Sequence, residues 1–112
     1  VWLVNYGWTK EPYGTGQRMK LNHTRSMINA ALNNDLEEVE YIKHPIFGLM
    51  IPTSCPNVPE IILNPRMTWE NENAYDEKAM FLAKQFNENF ESFKEYASLE
   101  ILNAAPKSSV EL

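Results

Sequence analysis

The period of the apolar positions changes several times along the chain, and each change marks an element. "VWLV", Val1 to Val4, is a continuous apolar run, too short for a helix and suited to a strand buried on both faces. Such a strand needs neighbours, and the chain opens as if one were already under way, so a piece of something longer is expected. Tyr6 to Gly16 carries Gly7, Pro12, Gly14 and Gly16 among polar residues, the composition of a loop. From Asn22 the pattern turns helical. Met27, Ile28, Ala31 and Leu32 recur at spacings of three and four as far as Asn33 and Asn34, with Asn22 or Thr24 as the cap and Leu21 as a staple. "VEYIKH", Val39 to His44, alternates as a strand that Pro45 ends. Leu49 to Ile51 reads as a short edge strand running into a connection punctuated by Pro52, Pro56 and Pro59, and Val58 to Leu63 as a turn of helix. Beyond an Asn71 cap, Tyr75, Ala79, Leu82, Phe86, Phe90 and Phe93 step by three and four, which predicts an amphipathic helix of about six turns. Asp76, Glu77, Lys84, Glu88 and Glu91 form its solvated face. Ser98 to Ala105 predicts a short last helix stopped by Pro106, and "KSSVEL" a frayed tail.

These elements define a mixed α/β chain of the α+β kind, a few short strands with two main helices, and no linker or repeat divides it. The 112 residues suit one core. A hydrophobic share of 44% with 22% charged residues places the chain among ordinary globular proteins. A net charge of −5 argues against a nucleic-acid or anionic-membrane partner, which requires excess Lys and Arg on one face. No apolar run approaches the roughly 18 residues of a membrane span. The single cysteine, Cys55, forbids an internal disulfide and fits a reducing, cytoplasmic compartment; a small, partly buried side chain is its expected role.

The chemistry of "YGTGQRMKLN" centres on its glycines. A phosphate loop requires Gly, four residues, Gly, then Lys and Ser or Thr, and this stretch lacks that spacing. The dinucleotide pattern fails as well, because Met19 stands three residues after Gly16. His23 and His44 lie 21 residues apart with no ligand cluster around them, so each is expected as a surface or hydrogen-bonded residue. Glu37, Glu38 and Glu40, and Asp76 with Glu77, read as solvated carboxylates rather than acid–base pairs. Trp2, Trp8, Tyr13 and Trp69 could stack on a base or a sugar, but core or interface anchors are the commoner use of such side chains.

Six segments in order, "VWLVNYGW", "PYGTGQRMKLNHTRSMINAAL", "PIFGLMIPTSCPNVP", "ILNPRMTW", "AYDEKAMFLAKQFNENF" and "NAAPK", cover nearly the whole chain. Together they resemble the C-terminal end of the ATP-dependent phosphoenolpyruvate carboxykinases. The resemblance implies that residues 1–112 are the last, incomplete part of a mononucleotide-binding domain. The enzyme it implies converts oxaloacetate and ATP to phosphoenolpyruvate, carbon dioxide and ADP, with two divalent metals, Mg and Mn, in the cleft between this domain and an N-terminal one. It also implies that Arg18, Met19 and Thr24 line the adenosine side of ATP, while the phosphate loop, the catalytic cations and the metal ligands lie upstream. Guanidinium stacking, thioether packing and a hydroxyl near a helix start suit that task. Gln17 stands where the family commonly has Lys, and "TKEP" replaces a glycine-richer turn. The partners so implied are ATP or ADP, oxaloacetate or phosphoenolpyruvate, and the rest of the enzyme's own chain. The rival expectation is a stand-alone, non-catalytic module that buries its aromatic surface against a partner protein.

Overall fold

The computed structural model describes residues 1–5, 7–10 and 16–108. Within the loop expected from Tyr6 to Gly16, Tyr6 and residues 11–15, Tyr13 among them, lie outside the described residues, as do the last four residues of the expected tail. In chain order the elements are β1 (Trp8–Thr9), β2 (Gln17–Arg18), α1 (Leu21–Leu32), β3 (Tyr41–Lys43), β4 (Met50–Pro52), α2 (Glu60–Leu63), α3 (Pro65–Thr68), α4 (Glu72–Phe90), a 3-10 helix (Glu91–Tyr96) and α5 (Leu99–Asn103). The strands form two separate antiparallel ribbons, β1 with β2 and β3 with β4. The architecture is therefore the mixed α/β one expected, with α1 and α4 as its main helices.

Val1 to Val4 does not form the expected strand. No described strand lies beside it, and Val1, Trp2 and Leu3 are exposed, so its amides and apolar side chains lack the neighbours a doubly buried strand requires. A ribbon forms instead, with β1 inside the expected loop and β2 just beyond its Gly16 end. Met19 N–H donates to the Gly7 carbonyl at 2.9 Å and continues the β1–β2 ladder by one pair.

α1 begins one residue earlier than its expected Asn22 cap. Lys20 occupies the cap position and supplies no side-chain acceptor, so neither Asn22 nor Thr24 caps the helix. Leu21 is exposed rather than stapled. The other end is better made. Asn34 adopts φ 61°, its N–H donates to the Ala31 carbonyl at 3.4 Å, and Asp35 N–H donates to the Ala30 carbonyl at 2.9 Å. This is the paired closure of a helix C-terminus through a left-handed residue, a conformation asparagine tolerates.

The register of the second ribbon sets Tyr41 opposite Pro52, Ile42 opposite Ile51 and Lys43 opposite Met50. Gly48, at φ 70°, closes the intervening turn by donating to the His44 carbonyl at 2.9 Å, a backbone conformation that favours glycine. The expected turn of helix near Val58 is α2. α3 follows it because Asn64 accepts from Arg66 N–H at 3.2 Å and Pro65 takes the first helical position.

α4 starts where its cap predicts, with Asn71 Oδ1 accepting from Ala74 N–H at 3.1 Å. The helix tightens into the 3-10 turn after Phe90 instead of running to Phe93. Its buried edge is Asp76, Ala79 and Ala83, whereas Leu82, Phe86 and Phe93 of the expected apolar stripe are exposed. Two small cores result. Ala30, Leu36, Cys55 and Val58 form one under α1, and Ile46, Ala79 and Ala83 form the other between the β3–β4 turn and α4. The segment after α5 folds back across the second, with Lys107 N–H donating to the Ile46 carbonyl at 2.8 Å and Asn87 Nδ2 to the Pro106 carbonyl at 2.9 Å.

Candidate functional site

Arg18 lies on β2, exposed, directly opposite Trp8 on β1. Gly7 and Met19 form a hydrogen-bonded pair, so the alternation of an antiparallel ladder makes Trp8 and Arg18 the next, non-hydrogen-bonded pair. At such a pair the Cα atoms approach to about 4.5 Å and the two side chains leave the same face side by side. Met19, one residue on, takes the opposite face and is half-buried. The ribbon thus holds Arg18 and Met19 close in backbone but divides their side chains. Thr24 sits a turn further on in α1, and its side chain is buried with Oγ1 directed to the Lys20 carbonyl at 3.5 Å. Of the three site residues expected from the sequence, Arg18 presents its functional group most openly. Beyond the ribbon, Lys10 N–H donates to Thr68 Oγ1 at 3.2 Å and ties it to α3.

The densest polar cluster lies elsewhere, between the β3–β4 turn, α3 and α4. Arg66 grips Asp76 with two bonds, Nε to Oδ1 at 2.8 Å and Nη2 to Oδ2 at 2.9 Å, and Nη1 reaches Glu72 at 2.8 Å. Asp76 is buried, which corrects the expectation of a solvated carboxylate; a planar guanidinium one helix away compensates its charge. The hydrogen bond from Arg66 to Asp76 is the main cause that raises the guanidinium pKa further above its ordinary value.

His44 is also buried, and hydrogen-bonded as expected. Its Nδ1 accepts from Ile46 N–H at 3.1 Å and from Phe47 N–H at 3.2 Å. The ring proton is thereby left on Nε2, which donates to Tyr75 Oη at 2.9 Å. Burial lowers the imidazole pKa below 6.5, against the opposing pull of Asp76. Burial and then Asp76 raise that of the Tyr75 phenol. Burial likewise raises the Cys55 thiol, with Asp35 adding to the effect, so the group stays protonated and inert near neutrality.

The sequence reasoning missed the Arg66–Asp76 pair. Its signal was an arginine just after the Asn64–Pro65 helix start, but a ten-residue separation across two helices has no periodic signature. Among the described residues, no group of three or more His, Cys, Asp or Glu side chains could hold a metal ion. No helix among them is long and apolar enough to cross a membrane.

Comparison with known proteins places this architecture. The phosphoenolpyruvate carboxykinase family pattern matches residues 1–61, and the chain belongs to that family. The chain is 58% identical to the phosphoenolpyruvate carboxykinase (ATP) of Flavobacterium johnsoniae over 106 residues, which is 95% of this chain and 20% of that protein. The enzyme of the same name from Christiangramia forsetii matches at 58% over the same shares, and that of Alkaliphilus oremlandii at 55% over 96% of this chain and 20% of its own length. The chain therefore spans about one fifth of the length of the curated relatives it matches.

Proposed function

We propose that residues 1–112 form the C-terminal part of the mononucleotide-binding domain of a longer, cytoplasmic, ATP-dependent phosphoenolpyruvate carboxykinase. That enzyme is a carboxy-lyase converting oxaloacetate and ATP to phosphoenolpyruvate, carbon dioxide and ADP in gluconeogenesis. The observation that carries this reading is the 58% identity to relatives named phosphoenolpyruvate carboxykinase (ATP), which extends over 95% of the chain. In it, Arg18 meets the adenosine side of ATP with its exposed guanidinium, Met19 closes the ribbon behind it, and the Thr24 hydroxyl stands at the start of α1. The two divalent metals of such an enzyme do not fit the residues described here, which hold no cluster of three ligands. Their ligands and the bond-breaking groups then belong to the remainder of the longer chain.

The same reading accounts for the surface. Trp2, Leu3, Phe81, Phe86, Tyr96 and Leu99 are exposed apolar side chains spread over the start of the chain, α4 and the C-terminal turns. The remainder of the enzyme covers them, so the chain's main protein partner is its own parent. Arg18→Ala in the intact enzyme tests the assignment. The expected result is a Michaelis constant for ATP raised about 10-fold or more, as for a charge-assisted or stacking contact of 1.5–3 kcal/mol, with that for oxaloacetate unchanged. An unchanged Michaelis constant for ATP overturns it.

A further inference from the structure

We propose that Thr68 is a positioning residue for the nucleotide site: from α3 its hydroxyl holds the left-handed backbone of Lys10 at the end of β1, and so sets the direction of the ribbon that carries Arg18. The inference rests on the proposed function of Arg18 and extends it to a hydroxyl on a distant helix.

Two hydrogen bonds and one backbone angle meet at that hydroxyl. Lys10 adopts φ 73°, a conformation that a side chain other than glycine, asparagine or aspartate rarely holds without support. Its N–H donates to Thr68 Oγ1 at 3.2 Å, across 58 positions of sequence. Thr68 Oγ1 in turn donates to the Pro65 carbonyl at 2.6 Å. The hydroxyl proton is thereby committed within α3, and the oxygen is left to accept from Lys10.

The support is itself anchored. At 4 residues α3 is too short to hold its own place. Arg66 within it binds the buried Asp76 of α4 through two bonds, at 2.8 and 2.9 Å, and Asn64 caps its start at 3.2 Å. α4 packs Ala79 and Ala83 against Ile46, so side-chain contacts run without a break from the second core through α3 to Lys10. On the far side, Lys10 directly follows Thr9, which pairs with Gln17, the neighbour of Arg18. A two-residue ladder has too few bonds to fix its own direction. Its tilt follows from what holds its ends, which are the start of α1 just beyond Lys20 and the Thr68 hydroxyl beyond Thr9. A long side chain that meets a nucleotide binds it more tightly when the backbone beneath it is fixed beforehand. Thr68 therefore acts through the ribbon and touches no ligand.

The test uses the intact enzyme with Thr68→Val, Thr68→Ser, Arg18→Ala and the Thr68→Val/Arg18→Ala double variant. Thr68→Val keeps the shape and removes the acceptor. It is expected to raise the Michaelis constant for ATP about 3- to 10-fold, with kcat and the constant for oxaloacetate unchanged. Thr68→Ser keeps the hydroxyl and stays within about 2-fold of the wild type. Inhibition by inorganic tripolyphosphate, which has no base, stays the same in every variant; equal weakening of ATP and tripolyphosphate would mean a general loosening of the fold and overturn the role. The double variant is no weaker than Arg18→Ala by more than about 2-fold, because the hydroxyl acts through Arg18, and a full additive loss overturns this. If Arg18→Ala weakens ATP binding while Thr68→Val changes only the melting temperature, Thr68 has no positioning role and the nucleotide site stands. If Arg18→Ala has no effect, the site itself is wrong and the inference falls with it. Should Thr68→Val fail to fold, Lys10→Pro decides from the other side of the bond, since proline has no N–H and cannot adopt a positive φ. A raised Michaelis constant for ATP in that variant supports the role, and an unchanged one overturns it.

Discussion

Among single residues, His44 couples geometry to protonation most directly. Its Nδ1 receives two backbone N–H groups and its Nε2 serves Tyr75, so only the neutral ring satisfies the turn. Protonation at Nδ1 would set a donor against Ile46 and Phe47 N–H in a buried site beside Ile46, which is 1% exposed. Burial holds the folded-state pKa below the ordinary value of 6.5. The unfolded chain then binds more protons than the folded one between the two values. The contribution of His44 to stability is accordingly complete above about pH 6.5 and is lost as pH falls through the folded pKa. Melting temperatures from pH 7.5 to 5 should fall more steeply for the wild type than for His44→Asn, whose side-chain oxygen can accept from the same backbone groups without titrating in this range. Parallel curves would remove His44 from the acid response.

At the scale of elements, the two main helices begin in opposite ways. α4 has a side-chain cap and an acidic residue, Glu72, in its first turn, both favourable to the N-terminal end of the dipole. α1 has neither, for Lys20 gives no acceptor and its first turn holds no acidic residue. Asn71→Ala is expected to cost about 1 kcal/mol, read as a lower denaturation midpoint with an unchanged slope in the intact protein. A change below a few tenths would mean that packing of Asp76, Ala79 and Ala83 sets the start of α4 without help from the cap. The Asn71 cap of α4 and the asparagine end of α1 were legible because they depend on neighbours a few residues away, whereas the Asn22 or Thr24 cap expected for α1 gives way to Lys20. The buried edge of α4 was not: Leu82 and Phe86 match helical spacing as well as Ala79 and Ala83 do, and only the position of Ile46 decides which edge is covered.

For the molecule as a whole, the exposed surface is too large for its mass. A folded monomer of 13.0 kDa is expected to expose roughly 6,300 Å². This chain exposes 8589 Å². Its radius of gyration of 15.3 Å likewise exceeds the roughly 13 Å of a compact domain this long. Two cores of four and three buried residues among the described ones cannot draw the elements closer. An excess that includes exposed side chains such as Trp2, Phe81, Phe86 and Tyr96 is what a body that lies against more protein leaves open. The isolated chain should therefore bind an anilinonaphthalene sulfonate dye strongly, and the intact enzyme should not at equal molar concentration. Weak dye binding by a folded isolated chain would favour the rival expectation, a self-sufficient module.

The sequence by itself determined the family, through six ordered segments, and the elements whose causes are local: the span of α1, the Asn71 start of α4, the strands beside Pro45 and Pro52, and the mixed α/β class. It also placed Arg18, Met19 and Thr24 one after another at the entry to a helix. Tertiary structure decided what separation along the chain conceals. It set Trp8 opposite Arg18 across the ribbon, turned Met19 to the other face, buried Asp76 under Arg66 and left Val1 to Val4 without a partner strand among the described residues. The physical reason is the range of the interactions. Caps, turns and periodicity act over a few residues, whereas strand register, ion pairing and burial depend on which distant segments come to lie side by side.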